Sequence, residues 1–240
     1  MVVGVTGFIL TAASPAFAQD ISVNFGGQNS GLTERVLQMI AMLTVLSLAP
    51  SILVMMTSFT RIVVVLSLLR TALGTATAPP NAVIVSLALF LTAFVMGPAL
   101  QNAYDNAIRP LIANEITTEQ AFQRGSQPLR AFMEKNVREK DLKLFVDMAK
   151  LPVPETPQDL SLRVLVPAFM ISELKRAFEI GFLLFLPFLI IDLVVASVLM
   201  SMGMMMLPPV VVSLPFKLIF FVLVDGWSLV AGSLIQSYGT

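Results

Sequence analysis

Between Ile180 and Trp227 the chain reads IGFLLFLPFLIIDLVVASVLMSMGMMMLPPVVVSLPFKLIFFVLVDGW, two membrane-length apolar segments joined by a methionine-rich turn. Backbone polar groups find no water in hydrocarbon, so segments of this length and apolarity are expected to be helices. Three charges interrupt the stretch: Asp192, Lys217 and Asp225. Each costs about 2.5 to 3.5 kcal/mol at the centre of a lipid-facing helix, so all three are expected to face protein or water. That implies an assembly, a cavity, or both.

Composition extends this reading to the whole chain. Apolar residues make up 56% and charged residues only 12% of the sequence, against about 25% charged in ordinary globular domains. The reading is an all-α integral membrane protein with about four apolar helical segments. Fifteen basic side chains balance fifteen acidic ones, which suggests neither nucleic-acid binding nor a polybasic membrane anchor. The absence of histidine and cysteine removes Ser-His and Cys-His catalysis, thiolate and imidazole metal sites, haem ligation and disulfides. No GxxxxGK[ST] loop is present, so any ATP hydrolysis belongs to a partner. The expectation is no enzyme, no cofactor and no metal.

Residues 1–18, MVVGVTGFILTAASPAFA, have an apolar core and a small-x-small pattern at Ala16-Phe17-Ala18. They are expected to be a cleaved signal peptide, although no Lys or Arg precedes the core. Residues 19–31 read as a linker. A first helical hairpin region is expected over 32–100, with Thr33 capping a helix. The apolar run Val36–Leu69 would reach about 50 Å as one helix, so breaks are expected at Pro50 and at Thr57–Thr60. After Gly74 and Pro79-Pro80-Asn81, residues Ala82–Leu100 form a second bilayer-length segment.

Residues 101–163 change character, holding nine acidic and nine basic side chains. Thr117-x-x-Gln120 has the capping-box pattern, Gly125 is placed to end that helix, and Leu142, Phe145, Val146 and Ala149 recur at helical spacing. Short amphipathic helices are expected, then a Pro152–Pro157 connector. A C-terminal helical hairpin region follows over 164–240. The positive-inside rule favours a cytoplasmic 101–163, whereas a cleaved signal followed by two crossings places it in the periplasm. The second count is preferred because the basic groups are balanced and long loops translocate regardless of charge.

Several blocks resemble the FliP family of flagellar type III export-gate membrane proteins. They are MMTSFTRIVVVLSLLRTALGT from Met55, APPN from Ala78, QPLRAFM from Gln127, VPAFMISELKRAFEIGF from Val166, and the segment from Pro187 to Trp227. The resemblance implies a core export-gate subunit in the bacterial inner membrane, multi-pass and periplasm-facing, within the flagellar basal body. It also implies several copies of the chain assembled with FliQ-like and FliR-like subunits, and served by FlhB-like and FlhA-like components. Unfolded rod, hook and filament subunits would pass through the resulting conduit, driven by a separate ATPase and the proton motive force. In that architecture much of the gate is lifted toward the periplasm, at odds with the four ordinary spans that hydropathy alone suggests. The equivalent subunit of a virulence injectisome is one alternative. An ion channel or proton-coupled carrier using Asp192 and Asp225 is another.

Met200, Met202, Met204, Met205 and Met206 surround Gly203. Unbranched, polarizable thioethers repack around changing shapes, and the family's methionine-rich pore loop implies that Met204–Met206 project into the conduit as a seal. Counting from Met206, Lys217 and Asp192 differ in depth by about 4.5 Å in an antiparallel hairpin, within reach of a lysine stem. They are expected either to pair as a register lock or to bond another subunit or water. Asp225 is expected to cap or bridge helices. An aspartyl-protease role with Asp192 is disfavoured, since the alignment sets the two carboxylates about five residues apart and acid–base use requires them close together. Glu173, Lys175, Arg176 and Glu179 allow Glu173–Arg176 and Lys175–Glu179 pairs at helix spacing, either on a solvated face or against neighbouring subunits. Arg61, inside the first apolar run, requires carbonyls, an acid or an interfacial position.

Overall fold

The computed structural model describes residues 32–150, 160–204 and 206–239. The expected signal peptide, the linker, the proline connector and Met205 lie outside the described residues. The chain divides into two compact units, 1–47 and 48–240. The described part of the first belongs to α1 (Leu32–Met55), whose apolar Val36, Leu37, Ile40 and Leu43 are exposed. Helix α1 starts ahead of Thr33, which therefore lies inside its first turn, and the backbone stays helical across Pro50. The break falls at Met56–Ser58, at the start of the Thr57–Thr60 cluster where the second break was expected.

In the second unit α2 (Phe59–Leu73) is the central helix. Ile62, Val65, Leu66, Leu69, Ala72 and Leu73 recur every three or four residues and are all buried, the apolar stripe of a core-facing helix. They pack with Ile84 and Ala88 of α3 (Asn81–Ala103), Ala177 and Phe188 of α7 (Leu162–Ser201), Phe221 of α8 (Pro209–Leu223), and Val230 and Leu234 of α9 (Gly226–Gln236). Gly74, at φ 79°, closes α2 with its N–H on the Thr71 carbonyl. Helices α2 and α7 meet closely at Gly181, where a Cβ would lie 2.3 Å from Leu68 Cδ1.

Helix α3 continues through a π-helical turn, Tyr104–Ile108, into α4 (Arg109–Ile112). Helix α5 (Thr118–Asn136) opens with both bonds of the Thr117–Gln120 capping box. Gly125 does not end it. The glycine instead allows close approach, since a Cβ there would stand 3.3 Å from Ala107 Cβ. Helix α6 (Glu139–Ala149) turns Val146 inward against Leu160 and Val164.

Helix α7 is 40 residues long and unbroken through Pro167 and Pro187, about 60 Å at 1.5 Å per residue. Its first half is buried through Val164, Leu165, Ala168, Phe169, Ser172, Glu173 and Ala177; its second half exposes Leu183, Leu189, Ile190, Leu193, Val194 and Val198. Helix α8 meets α9 at a 63° bend. Among the described residues two helical bodies, Asn81–Ile112 and Leu162–Ser201, are long and apolar enough to cross a membrane, or three if the bent pair counts as one span. The last part of the first apolar run is the 15-residue α2, about 22 Å long and buried within the protein.

Candidate functional site

Arg61 lies one position before Ile62 on the inward face of α2, with 1% of its side chain exposed. Its partner is Glu173 of α7, wholly buried. Phe169, Glu173 and Ala177, spaced by four, share the α7 face that packs inward. Glu173 therefore turns away from Arg176, and the helix-spaced Glu173–Arg176 pair does not form; Lys175 and Glu179 do pair, exposed, at 3.7 Å. Arg61 grips the carboxylate with two donors, Nε at 2.9 Å from Oε2 and Nη2 on Oε1, a bidentate geometry matched to a guanidinium.

Two residues that sequence reasoning did not single out complete this cluster. Arg61 Nη1 donates to Ser237 Oγ at 2.9 Å and to its carbonyl at 3.4 Å. The Tyr238 ring lies under the guanidinium, 3.8 Å from Cζ to the ring centroid, and stacks on Phe132 at 5.7 Å. Its hydroxyl donates to Glu173 Oε2 and approaches the Ser58 carbonyl at 3.4 Å. Burial, and next the Glu173 carboxylate beside it, push the Tyr238 hydroxyl well above the ordinary tyrosine value, so it remains a donor. Every charge here is paired and further hydrogen-bonded, the condition under which a buried ion pair is tolerated. One signal was available: Val230, Leu234 and Tyr238 are spaced by four and extend one buried stripe of α9.

A second polar junction joins the end of α2 to α7 and α8. Lys217 Nζ donates to Asp192 Oδ2 at 2.7 Å and to the Ala72 carbonyl at 3.1 Å. That carbonyl belongs to the last turn of α2, where cations complement the helix dipole. Ser213, one turn before Lys217, donates to Asp192 Oδ1 at 2.6 Å. The lysine side chain is 4% exposed and the aspartate 28%.

Beyond this junction α7 ends in two nested bonds, Met204 N–H to the Leu199 carbonyl at 3.0 Å and Gly203 N–H to the Met200 carbonyl at 3.1 Å. This is a Schellman closure with Gly203 at φ 75°. Met200, Met202 and Met204 are exposed, and Met206 is 97% exposed. An open groove of about 670 Å³ runs beneath them between α7 and α8, lined by Val195, Leu199, Met202, Met204 and Phe216 among others.

Asp225 stands at the α8–α9 elbow, exposed, at φ 49°, and makes no side-chain cap bond. The bend separates it from the continuous apolar helix that the sequence suggested. Gly226 fits beneath Phe221, whose ring would lie 2.2 Å from any Cβ, and Trp227 packs edge-on against that ring.

At the start of α6, Arg138 Nε and Nη2 donate to Asp141 at 2.8 and 2.9 Å, and Ser172 Oγ of α7 donates to it at 2.7 Å. The Arg138 hydrogen bonds hold the Asp141 carboxyl below its ordinary value; burial opposes them and Ser172 assists them. Among the described residues no group of three or more Asp or Glu side chains is arranged to hold a metal ion.

A family model described as the FliP family matches residues 42–234, a stretch containing Arg61, Glu173, Asp192, the methionine turn and Lys217. The chain is 59% identical to the flagellar biosynthetic protein FliP of Caulobacter vibrioides, covering 99% of this chain and 90% of that protein. Identity is 56% to the protein of that name from Bacillus subtilis, over 84% of this chain and 91% of the relative. It is 53% to the one from Aquifex aeolicus, over 84% and 85%.

Proposed function

The chain belongs to the FliP family and is a membrane-embedded subunit of the flagellar export apparatus, and from that premise we propose that its α7–α8 hairpin forms part of the wall and seal of a protein-conducting conduit. It works with other export components. In the proposed assembly several copies associate with FliQ-like and FliR-like subunits in the bacterial inner membrane, with FlhB-like and FlhA-like components delivering unfolded rod, hook and filament subunits. The chain is multi-pass, its 101–163 region faces the periplasm, and it serves as a structural conduit subunit with no chemistry of its own.

One observation carries the reading: the methionine turn projects from a hairpin whose apolar faces are uncovered within the chain. Only 11% of the most apolar window of α7 is buried, so lipid or neighbouring subunits must cover the rest. Met202, Met204 and Met206 stand exposed at its end, where flexible thioethers can close around ions yet yield to a polypeptide. Lys217 and Asp192 serve as the register lock of the hairpin. Arg176, Lys175 and Glu179 remain candidates for contact with neighbouring subunits, whereas Glu173 is committed to Arg61. The injectisome and ion-carrier alternatives are not favoured, because the relatives are flagellar.

The test is deletion of the gene in its host, with secretion of hook and filament subunits measured after complementation. Wild type is expected to restore secretion. A variant with Met204, Met205 and Met206 changed to Ala is expected to secrete while raising ion leak across the membrane; unchanged conductance would remove the seal.

A further inference from the structure

We infer that Tyr238, together with Ser237, is the positioning residue of the bent α8–α9 pair: it keys α9 into a socket built by α2, α5 and α7, and thereby sets the direction in which α8 and the methionine turn are presented. The inference rests on the conduit reading only for what that direction serves.

The first observation is where Tyr238 sits. It lies beyond the last turn of α9, yet it is only 3% exposed. Three other helices hold it: Glu173 of α7 accepts from its hydroxyl, Phe132 of α5 stacks on its ring, and the guanidinium of Arg61 of α2 lies over that ring. The same guanidinium binds Ser237 through both its hydroxyl and its carbonyl. A core residue needs only apolar contact. Here each polar atom of the Ser237–Tyr238 pair that bonds the socket has a directional partner, which fixes orientation as well as depth.

The second observation is the elbow. Helix α8 could run on into α9, but Asp225 adopts a left-handed conformation instead, one that non-glycine residues keep only where the surroundings hold it. Its side chain makes no cap bond; the turn is closed locally by Asp225 N–H on the Val222 carbonyl and Leu229 N–H on the Asp225 carbonyl, both at 3.1 Å, and by Gly226 seated against Phe221. Within the 11 residues of α9 the buried apolar side chains are Val230 and Leu234, and Tyr238 adds the third member of that stripe and the one whose side chain hydrogen-bonds. The local contacts form the turn, and the anchorage of α9 beyond it adds the directional bonds of Ser237 and Tyr238.

The chain has no cysteine, so a single engineered one reports its own surroundings. Val230→Cys, 4% exposed in α9, and Val146→Cys, 7% exposed in α6, are placed separately in the full chain. The detergent-solubilised export complex is then labelled with N-ethylmaleimide, with Tyr238 kept, changed to Phe, or changed to Ala. With Tyr238→Ala, labelling at position 230 is expected to rise at least tenfold while position 146 is unchanged; Tyr238→Phe, which keeps the ring and loses the hydroxyl, should fall between. Unchanged labelling at 230 in Tyr238→Ala overturns the inference. So does a rise at 146 equal to that at 230 in both variants, which would make Tyr238 a general core residue. Secretion in the same strains judges the conduit reading separately: released α9 with undiminished secretion supports the positioning role and counts against the hairpin as conduit wall.

Discussion

Replacing Asp192 by Asn is expected to destabilise the chain more than replacing Lys217 by Met, although both changes remove the same ion pair. Removing one partner of a buried pair costs about 3 to 5 kcal/mol, because an uncompensated charge is left behind. What is left differs here. Asp192→Asn strands an ammonium that is 4% exposed, with the Ala72 carbonyl as its remaining strong acceptor; Lys217→Met leaves a carboxylate that is 28% exposed and still bonded to Ser213. The first change should sit near the upper end of that range and the second near or below the lower end. About 1.4 kcal/mol separates them if the difference in residual charge burial is worth a tenfold change in the unfolding equilibrium. The double variant Asp192→Asn/Lys217→Met should be more stable than Asp192→Asn alone, as expected for groups in direct contact. Trp227 is the single tryptophan and packs on Phe221, so its fluorescence during unfolding by SDS in mixed micelles reads all three variants. If Lys217→Met costs as much as Asp192→Asn, the burial argument is wrong; strictly additive losses would mean that the two groups do not act on each other. Full charge reversal is expected to rescue only in part, because an aspartate at 217 would face the Ala72 carbonyl.

Two further outcomes follow from the packing. Gly181→Ala is expected to lose stability, since crowding Leu68 costs about 1 to 3 kcal/mol against about 1 kcal/mol gained in helix propensity; adding Leu68→Ala should remove the penalty in the same unfolding assay, and a Gly181→Ala chain as stable as wild type would show that α2 and α7 have room to spare. The lowered Asp141 value means that its contribution is fully present above the ordinary carboxylate value of 3.8 and is lost as pH falls through the lower folded value. Hydrogen exchange of α6, corrected for intrinsic rates, should therefore stay protected from neutral pH down to about pH 5 and weaken below about pH 4, whereas Asp141→Asn should weaken α6 at neutral pH and flatten the profile; coincident profiles would remove Asp141 from the docking of α6.

Much of this organisation was legible locally. The Thr117–Gln120 box, the amphipathic spacing of α6 and the break near Thr57 are written within one or two helical turns, and the structure places them there. The depth difference between Lys217 and Asp192 could be counted along one hairpin, and the two side chains meet. Gly125 misled because glycine ends helices and also permits close packing, and only the neighbouring Ala107 distinguishes the two uses. Glu173 misled because the pattern Glu-x-Lys-Arg-x-x-Glu suggests a charged face, whereas Phe169 and Ala177, one turn to each side, share its buried position.

What the sequence alone determined is the material: apolar, histidine- and cysteine-free, helical, with a methionine turn and a few charges that could not face lipid. Those properties follow from composition and from periodicities a few residues long. Tertiary structure decided which charge meets which. Arg61 lies 112 residues from Glu173 and 176 from Ser237, and no local spacing encodes a contact that exists only once α2, α7 and the segment after α9 pack together. Packing also left the second half of α7 uncovered, as a surface for lipid or neighbouring subunits, and bent α8 against α9 at Asp225. The physical reason is one of range: propensity and capping act along a turn of helix, whereas the desolvation that forces a buried charge to find its partner acts across the whole fold.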